Sequence, residues 1–433
     1  DLTLTPMGAR LLRQWILSPL LDPVEINYRQ NGVEGLFSQQ GLRASLRSYL
    51  KNVADMERIS TRVSAGRSNA RELVALKDSL EQVGRLKEAL VGATLAVAQN
   101  DRSSRASPDR GSSPAPTILK DLSERLDTLE KVRVLIGTAL AANPPLGLKE
   151  GGLIREGYHP ELDELRNIGR NGKSWLTNFQ AEEIRRTGIS SLKVGYNKVF
   201  GYYIEVTNTH KERIPHSYVR RQTLKNAERY ITPELKEYES KVITAEERAR
   251  ELEYELFEEI RKEVASHTTR LQVVAGAVAE LDVLASLAQV AAENNYVRPQ
   301  ITEDRRLYIA EGRHPVLEKT LGRGKFVPNS TDIDGEVSRV MVITGPNMAG
   351  KSTYIRQVAL LVLMAQMGRF IPAREARVGV VDRIFTRVGA SDELYRGKST
   401  FMVEMQEAAN IMNNATGRSL IILDEVGRGT STF

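Results

Sequence analysis

The stretch Gly345-Pro-Asn-Met-Ala-Gly-Lys-Ser352 decides how the chain around it folds. It fits the pattern G-x-x-x-x-G-K-[ST], in which a glycine-rich turn joins a strand to a helix. The apolar run Val340–Thr344 precedes it and predicts the buried strand, while apolar residues at helical spacing from Thr353 onward predict the helix. We therefore predict an α/β domain here; a glycine-rich turn that matches by chance is the alternative.

A turn of this kind is suited to phosphate. Its glycines let backbone N–H groups converge on phosphate oxygens at a helix N-terminus. Lys351 can neutralise the β and γ phosphates, and the Ser352 hydroxyl can ligate Mg²⁺. The predicted nucleotide-binding residues are Gly345, Pro346, Asn347, Met348, Ala349, Gly350, Lys351, Ser352 and Thr353.

A second apolar run, Leu420–Leu423, is followed directly by Asp424 and Glu425. Alone, this pattern would be a strand end with solvated charge. After a phosphate-binding turn it predicts the acidic half of the same site, with Asp424 holding Mg²⁺ through water. Glu425 is then placed to orient or deprotonate an attacking water, so we predict Glu425 and Lys351 as catalytic residues.

Long helices lie upstream of this domain. From Glu234 to Arg298 there is no proline and only one glycine, Gly276, while apolar residues keep three- and four-residue steps. This predicts one very long helix or two in series, roughly 100 Å if continuous. Residues 1 to about 100 have the same periodicity, and the Ser-, Pro-, Asp- and Arg-rich segment 100–116 predicts a disordered surface loop.

A short β region interrupts the helical pattern. Residues 191–206 are dense in β-branched and aromatic residues around Gly195 and Gly201, which predicts a β-hairpin or small sheet. It lies between the helical arms in the sequence, so we predict a small β element carried on long helices.

Composition narrows the classes of site. The 61 Lys and Arg against 55 Asp and Glu give a net charge of +6 and permit an anionic partner without proving one. The chain has no cysteine, which excludes disulfides, thiolate zinc sites and a cysteine nucleophile, and its five histidines are scattered. The longest apolar run, Val358–Ala365, is far shorter than the roughly 20 residues of a membrane helix. We therefore predict a soluble protein without a secretory leader. Because the sequence starts at Asp1 and not at Met, we expect it to be a fragment of a longer chain.

The chain resembles the MutS family of DNA mismatch-repair ATPases. Four blocks carry the resemblance in the family's order and spacing: Thr344–Gln357, Gly389–Asp392, Gly397–Met405 and Asp424–Thr432. Shorter blocks extend it upstream: Arg313–Pro315, Phe326–Asn329, Thr5–Gly8 and Leu20–Pro23. It covers nearly the whole chain apart from the segment 100–116.

The resemblance implies a multidomain α plus α/β fold and a mismatch-repair ATPase. Such a protein binds mismatched double-stranded DNA as a dimeric sliding clamp, uses ATP and Mg²⁺, signals to a MutL-type repair factor, and works in the bacterial cytoplasm at the nucleoid. The implied domains are a helical core or lever (1–155), a clamp with its arms (156–235), returning lever helices (236–298) and an ABC-like P-loop ATPase domain (299–433). The family's mismatch-reading and connector domains, and the end of its ATPase domain, are expected outside these residues.

Two further nucleotide contacts come from the resemblance. Ser399 matches the serine that reaches the γ-phosphate bound to the partner subunit, and the segment 427–432 matches the loop that crosses the dimer interface. A helix from about Thr400, with Met402, Met405, Ala409 and Met412 as its apolar stripe, would put Ser399 at a positive helix N-terminus. An ordinary N-cap is the alternative for Ser399. Phe326 corresponds to the aromatic residue that stacks on adenine.

The segment 191–230 matches the family's clamp. It holds eight Lys and Arg against three Glu, a balance of +5. Such an excess suits the DNA backbone, which is recognised by charge and not by base sequence; a solvated hairpin surface is the alternative. The predicted DNA-binding residues are Lys193, Lys198, Arg220, Arg221 and Lys225.

Three other functions stay open at this point. A relative that stabilises recombination intermediates without reading mismatches would share all of these residues. A non-catalytic DNA-binding scaffold is disfavoured by the intact Lys351, Ser352, Asp424 and Glu425. A structural-maintenance or ABC-type ATPase would place its P-loop near the amino terminus, whereas here the β region and long helices precede it.

Overall fold

The structure is a computed structural model that describes residues 1–103, 115–170, 172–197, 201–322, 324–346, 348–387 and 400–425. The chain divides into two compact units. The first comprises Asp1–Arg58, Asp78–Thr128 and Thr269–Phe433, and the second comprises Ile59–Lys77 and Leu129–Thr268. Helices α4 (Met56–Ser64) and α5 (Ala70–Ser103) contribute residues to both.

The helical part of the first unit is built around α11. Its other helices are α1 (Pro6–Leu17), α2 (Pro23–Ser38), α3 (Gln40–Leu50) and α6 (Ala115–Arg125), and α11 itself spans Thr268–Asn294. The Thr5 and Asp22 side chains cap α1 and α2, and a proline follows each cap. By length and composition α11 could cross a membrane, but 72% of its most apolar window is buried inside the structure. It is therefore the core helix of this unit.

The remainder of the first unit is α/β. Its strands are β5 (Gln300–Thr302), β6 (Leu307–Gly312), β7 (Asn329–Ile333), β8 (Glu375–Gly379), β9 (Ile384–Arg387) and β10 (Leu420–Leu423). Its helices are α12 (Pro315–Leu321), α13 (Lys351–Gln366) and α14 (Thr400–Asn414). Four strands form a mixed sheet in the order β5-β8-β6-β7, and β10 pairs with β9 in parallel. The helix predicted after Ser352 is confirmed. Leu420–Leu423 is a strand as predicted, but its predicted burial is wrong, since Ile421 and Leu423 are 41% and 52% exposed.

The buried strand predicted at Val340–Thr344 is wrong in this structure. These residues join no sheet in the described part of the chain, and Val340 and Val342 are 80% and 81% exposed. A strand exists only where a neighbour satisfies its backbone N–H and C=O groups, and no described strand lies beside this run. The apolar composition of Val340–Thr344 predicted a buried strand, but no described strand lies beside these residues to bury them.

The predicted face of α14 is also wrong. Met402 and Met412 are 55% and 83% exposed, whereas Glu404 and Ile411, two turns apart, are buried. The buried Arg387 guanidinium at the end of β9 attracts two carboxylates of this helix, Glu407 at 3.0 Å and Glu404 at 4.0 Å. A charged partner on β9 therefore turns this face of α14 inward, against the apolar periodicity.

The second unit carries a small antiparallel sheet. Its helices are α7 (Glu130–Ala139), α8 (Pro160–Arg170), α9 (Gly172–Thr187) and α10 (Pro233–Ser266), and its strands are β1 (Lys193–Asn197), β2 (Gly201–Thr207), β3 (Val219–Thr223) and β4 (Ala227–Ile231). The strand order is β1-β2-β4-β3. One face packs on a core that includes Phe179, Ile204, Tyr230 and Leu235. The predicted hairpin is confirmed as β1 and β2.

The long helical segment is two helices in series. It breaks at His267, whose φ of −98° and ψ of 9° leave the helical region. The Ser266 and Thr268 hydroxyls donate to backbone carbonyls at 2.7 Å and compete with the helical ladder. The predicted loop 100–116 is too wide, since α5 runs to Ser103 and α6 starts at Ala115; its centre, 104–114, lies outside the described residues.

Candidate functional sites

The loop before α13 has the backbone of an anion cradle. Gly350, the N-cap of α13, has φ 90° and ψ 11°, and Met348 has φ 66°. In the described part of the chain, no neighbouring atom lies within 4 Å of the position that a Cβ on Gly350 would take. Glycine is therefore favoured here by the positive φ of the backbone and not by lack of space. The loop therefore presents the positive N-terminus of a 16-residue helix.

Lys351 lies over this loop. Its ammonium donates to the Gly345 carbonyl at 2.6 Å and to the Pro346 carbonyl at 3.1 Å. Ser352 and Thr353 follow in the first turn of α13, and both are half-buried. The structure thus brings together the positive charge, the hydroxyl and the helix start that the motif predicts.

The acidic pair stands at the carboxyl end of β10. The Asp424 N–H donates to the Arg387 carbonyl at 2.8 Å, which continues the parallel pairing one residue past the strand. Glu425 is exposed and has φ 52°, so the backbone turns out of the ladder there. Because α13 packs against β10, the helix that begins at Lys351 and the strand that ends at Asp424 are neighbours.

These residues fit a magnesium ion. Mg²⁺ prefers hard oxygen ligands and usually keeps several waters, with only one or two carboxylates from the protein. The Ser352 hydroxyl and the Asp424 carboxylate, on adjacent elements, supply that donor set. A dedicated cage of three or more His, Asp or Glu side chains is absent from the described residues.

Sequence reasoning missed a tyrosine beside this site. The Tyr354 hydroxyl lies 2.8 Å from the Thr331 hydroxyl and donates to the Ser330 carbonyl at 3.1 Å. It fixes the first turn of α13 to β7, the strand that follows Phe326. Tyr354 stands inside the quoted block 344–357, but neither periodicity nor spacing distinguishes it from an ordinary helix residue.

Four predicted features cannot be placed. Asn347, Lys198, Ser399 and the segment 427–432 lie outside the described residues, and their roles stay predictions. Phe326 is described, half-buried in the chain that leads into β7.

The charged sheet of the second unit exposes cations at one edge. Arg220 and Arg221 lie on the edge strand β3, at a bulge in its pairing with β4, and Lys225 lies in the turn between these strands. All three side chains are exposed. In the described part of the second unit, Arg221 and Lys225 form no ion pair. These two charges are available to a phosphate.

Arg220 is less available because Glu228 lies near it. The Glu228 carboxylate is 2.8 Å from the Lys211 ammonium and 3.6 Å from the Arg220 guanidinium, and it accepts from the Tyr230 hydroxyl. The hydrogen bond from Lys211 lowers the pKa of Glu228, so it is charged at neutral pH. Burial raises the pKa of Tyr230 to about 12, so this phenol remains a donor. Lys211 and Arg220 are thus partly neutralised by Glu228, whose negative charge is already counted in the +5 balance.

Lys193 lies at the other edge of the sheet, on β1. Three strand spacings separate it from β3, or about 14 Å. Between them, Arg229 pairs with Glu205 at 2.9 Å and stacks over the Tyr203 ring at 4.1 Å. The four predicted DNA-binding residues that the structure describes therefore do not form one cluster: those on β3 and its turn lie together, and Lys193 lies apart.

Comparison with known proteins gives one consistent result. Two family models match the chain, MutS domain III over residues 1–288 and MutS domain V over residues 341–433. The DNA mismatch repair protein MutS of Methanosarcina barkeri is 50% identical over the whole chain, and those of Pelotomaculum thermopropionicum and Symbiobacterium thermophilum are each 52% identical. The chain covers 46%, 48% and 47% of these relatives, so it spans about half of their length.

Proposed function

Because the chain belongs to the MutS family, we propose that it serves DNA mismatch repair as an ATP-hydrolysing, DNA-binding protein. One observation supports this most: α13, which begins at a positive-φ loop, packs against β10, the strand that Asp424 and Glu425 follow. The cofactors are ATP and Mg²⁺. We propose a division into lever or core (1–155), clamp (156–235), lever helices (236–298) and ATPase domain (299–433).

Each residue of the nucleotide site has one task in this proposal. The backbone N–H groups of 345–352 and the Lys351 ammonium hold the phosphates. Ser352 and Asp424 hold Mg²⁺, which withdraws charge from the phosphate oxygens when bound. Glu425 orients the attacking water and accepts its proton. Phe326 stacks on the adenine.

Each ATP site is completed by a second subunit. Ser399 precedes α14 and is proposed to reach the γ-phosphate that the partner subunit holds. A helix N-terminus suits this task because its N–H groups and dipole favour negative charge. The protein therefore acts as a homodimer or larger assembly.

The charged sheet is proposed to contact double-stranded DNA that contains a mismatch. Arg221 and Lys225 are its main contacts, Arg220 contributes while also paired with Glu228, and Lys193 adds charge at the other edge of the sheet. Lys198 is kept as a further predicted contact. Side-chain cations on phosphates give affinity without base preference. We further propose that ATP binding and hydrolysis control signalling to a MutL-type repair factor. The protein would act in the cytoplasm at the nucleoid.

Two substitutions test the nucleotide site. In the natural protein that carries this chain, Glu425→Gln keeps the side-chain shape and removes the base. It should still bind ATP with Mg²⁺ while single-turnover hydrolysis falls by about 10² or more. Asp424→Asn should instead weaken the dependence of ATP binding on Mg²⁺. Hydrolysis at the parental rate by the Glu425 variant would show that another group is the base.

A further inference from the structure

Gln366, the last residue of α13, is a buried polar junction. The residue is 2% exposed, and both Nε2 and Oε1 of its amide are hydrogen-bonded to backbone groups. The Nε2 group donates to the Leu20 and Val381 carbonyls at 2.9 Å each, and Oε1 accepts from the Val381 N–H at 3.0 Å. The Gln366 carbonyl also accepts from the Leu20 N–H at 3.0 Å.

This junction joins parts of the chain that lie far apart in sequence. Leu20 lies in the turn between α1 and α2, inside the region that matches domain III, and Val381 lies between β8 and β9 in the region that matches domain V. At its other end α13 begins with Lys351. Its 16 residues span about 24 Å, so one rigid helix connects the nucleotide loop to the α1–α2 turn.

Close packing around the junction keeps the turn and the helix end together. The Arg29 guanidinium, on α2, lies 3.7 Å from the centre of the Trp15 ring and donates to the Met367 carbonyl at 3.4 Å. Gly368 has φ 81°, and a Cβ there would lie 2.4 Å from the Arg29 Cβ. Contact this close leaves no room for the turn to slide over the end of α13.

We propose that Gln366 is the positioning residue through which the nucleotide site acts on the α1–α2 turn and the helical core beyond it. The inference rests on the proposed ATP site. A shift of α13 on nucleotide binding carries Gln366 with it. The turn follows, because separation would break both the bond from Nε2 to the Leu20 carbonyl and the bond from the Leu20 N–H to the Gln366 carbonyl.

The same helix offers a matched control. Gln357 is 1% exposed, and in the described part of the chain neither its Nε2 nor its Oε1 has a hydrogen-bond partner. Gln366→Met and Gln357→Met are thus the same change, on one helix, at two buried positions. Only the first removes a side-chain hydrogen bond to the α1–α2 turn, the bond from Nε2 to the Leu20 carbonyl.

The test is amide hydrogen exchange of residues 18–24 in the natural protein that carries this chain, with and without saturating ATP and Mg²⁺. Nucleotide should change the exchange rate by about fivefold or more in the wild type and in Gln357→Met, within the ordinary range of coupling. In Gln366→Met the change should fall below about twofold at equal nucleotide occupancy.

Two results would overturn the inference while leaving the ATP site intact: a wild type that binds nucleotide without any change in residues 18–24, or a Gln366→Met variant that responds like the wild type. A wild type that binds no nucleotide would overturn the proposed function, and the inference with it. If Gln366→Met does not fold, Gln366→Asn replaces it. This variant keeps the amide but is one CH₂ shorter, and its response should again fall short of the wild-type response.

Discussion

The nucleotide loop and the charged sheet are both suited to phosphate, but they achieve it by different means. The loop uses backbone geometry, with φ 90° at Gly350 and the start of α13 beside it. The sheet is an antiparallel ladder with a bulge in its edge strand β3, and it offers the side-chain cations Arg221 and Lys225 instead. Recognition by the backbone requires a particular loop geometry and therefore a recognisable sequence motif. Recognition by side-chain charge requires no particular geometry or motif, and the sequence shows only an excess of cations.

The largest expected effect concerns the loop and its completion in trans. Lys351→Ala or Ser399→Ala alone should lower ATP hydrolysis by about 10² or more, since each removes a group aimed at phosphate charge in both composite sites. In a mixed dimer both lesions fall on one composite site. The other site is then intact, and mixing should restore activity toward one working site per dimer.

Steady-state hydrolysis of the separate and mixed full-length variants, with subunit exchange shown independently, measures this recovery. If exchange occurs and activity stays at the average of the two variants, Ser399 serves its own subunit or only caps α14.

A smaller effect is expected from the sheet. Replacing Arg221 and Lys225 with alanine should weaken duplex binding equally for all sequences. It should also reduce the slope of log K against log salt by about 0.9 for each cation that contacts a phosphate. Binding measured from low to moderate salt gives both quantities.

The matched control removes two cations from α10 of the same unit. Lys241 and Arg250 pair there with Glu237 and Glu246, at 2.8 Å and 3.7 Å. Replacing both with alanine should leave the salt slope unchanged. Equal slopes for the two double variants would mean that net charge, and not the β3 edge, governs DNA binding.

The smallest effects separate the two uses of glycine. Gly350→Ala places a Cβ at φ 90° and should weaken ATP binding by about tenfold, from 1–2 kcal/mol of left-handed strain. Gly195→Ala meets only the far end of the Tyr203 ring, 2.9 Å away, which can swing aside. It should cost less than about 1 kcal/mol of stability and leave DNA affinity nearly unchanged.

Calorimetric titration with ATP and urea unfolding measure these two changes. A Gly195 variant that lost DNA binding while folded would show that the Tyr203 and Arg229 stack is part of the DNA surface, and the contrast between the regions would weaken.

Local pattern predicted the elements that depend on local physics. The 3/4 spacing indicated α10 and α11, and the β-branched and aromatic run indicated β1 and β2. The phosphate loop and the acidic end of β10 could be located because few other kinds of site require the G-x-x-x-x-G-K-[ST] motif followed by an apolar run that ends in two carboxylates. In each case the deciding interactions lie within one element or its immediate neighbour.

What the sequence could not reveal depends on distant partners. The run Val340–Thr344 has the composition of a strand but no neighbouring strand in the described part of the chain. The buried Glu404 of α14 faces Arg387 on β9, and the Gln366 amide at the end of α13 bonds to Leu20, which is 346 residues away. Likewise Glu228 neutralises part of the charge that a count of Lys and Arg assigns to DNA. Periodicity carries no information on such contacts.

One measurement tests the central claim most directly: ATP turnover by the natural protein that carries this chain, without DNA, with matched duplex and with mismatched duplex, in parallel for wild type and Glu425→Gln. We expect wild-type turnover that depends on Mg²⁺ and differs between the two duplexes, and about 10²-fold slower turnover for Glu425→Gln under every condition. Turnover that is indifferent to both the mismatch and the Glu425 substitution would contradict the account.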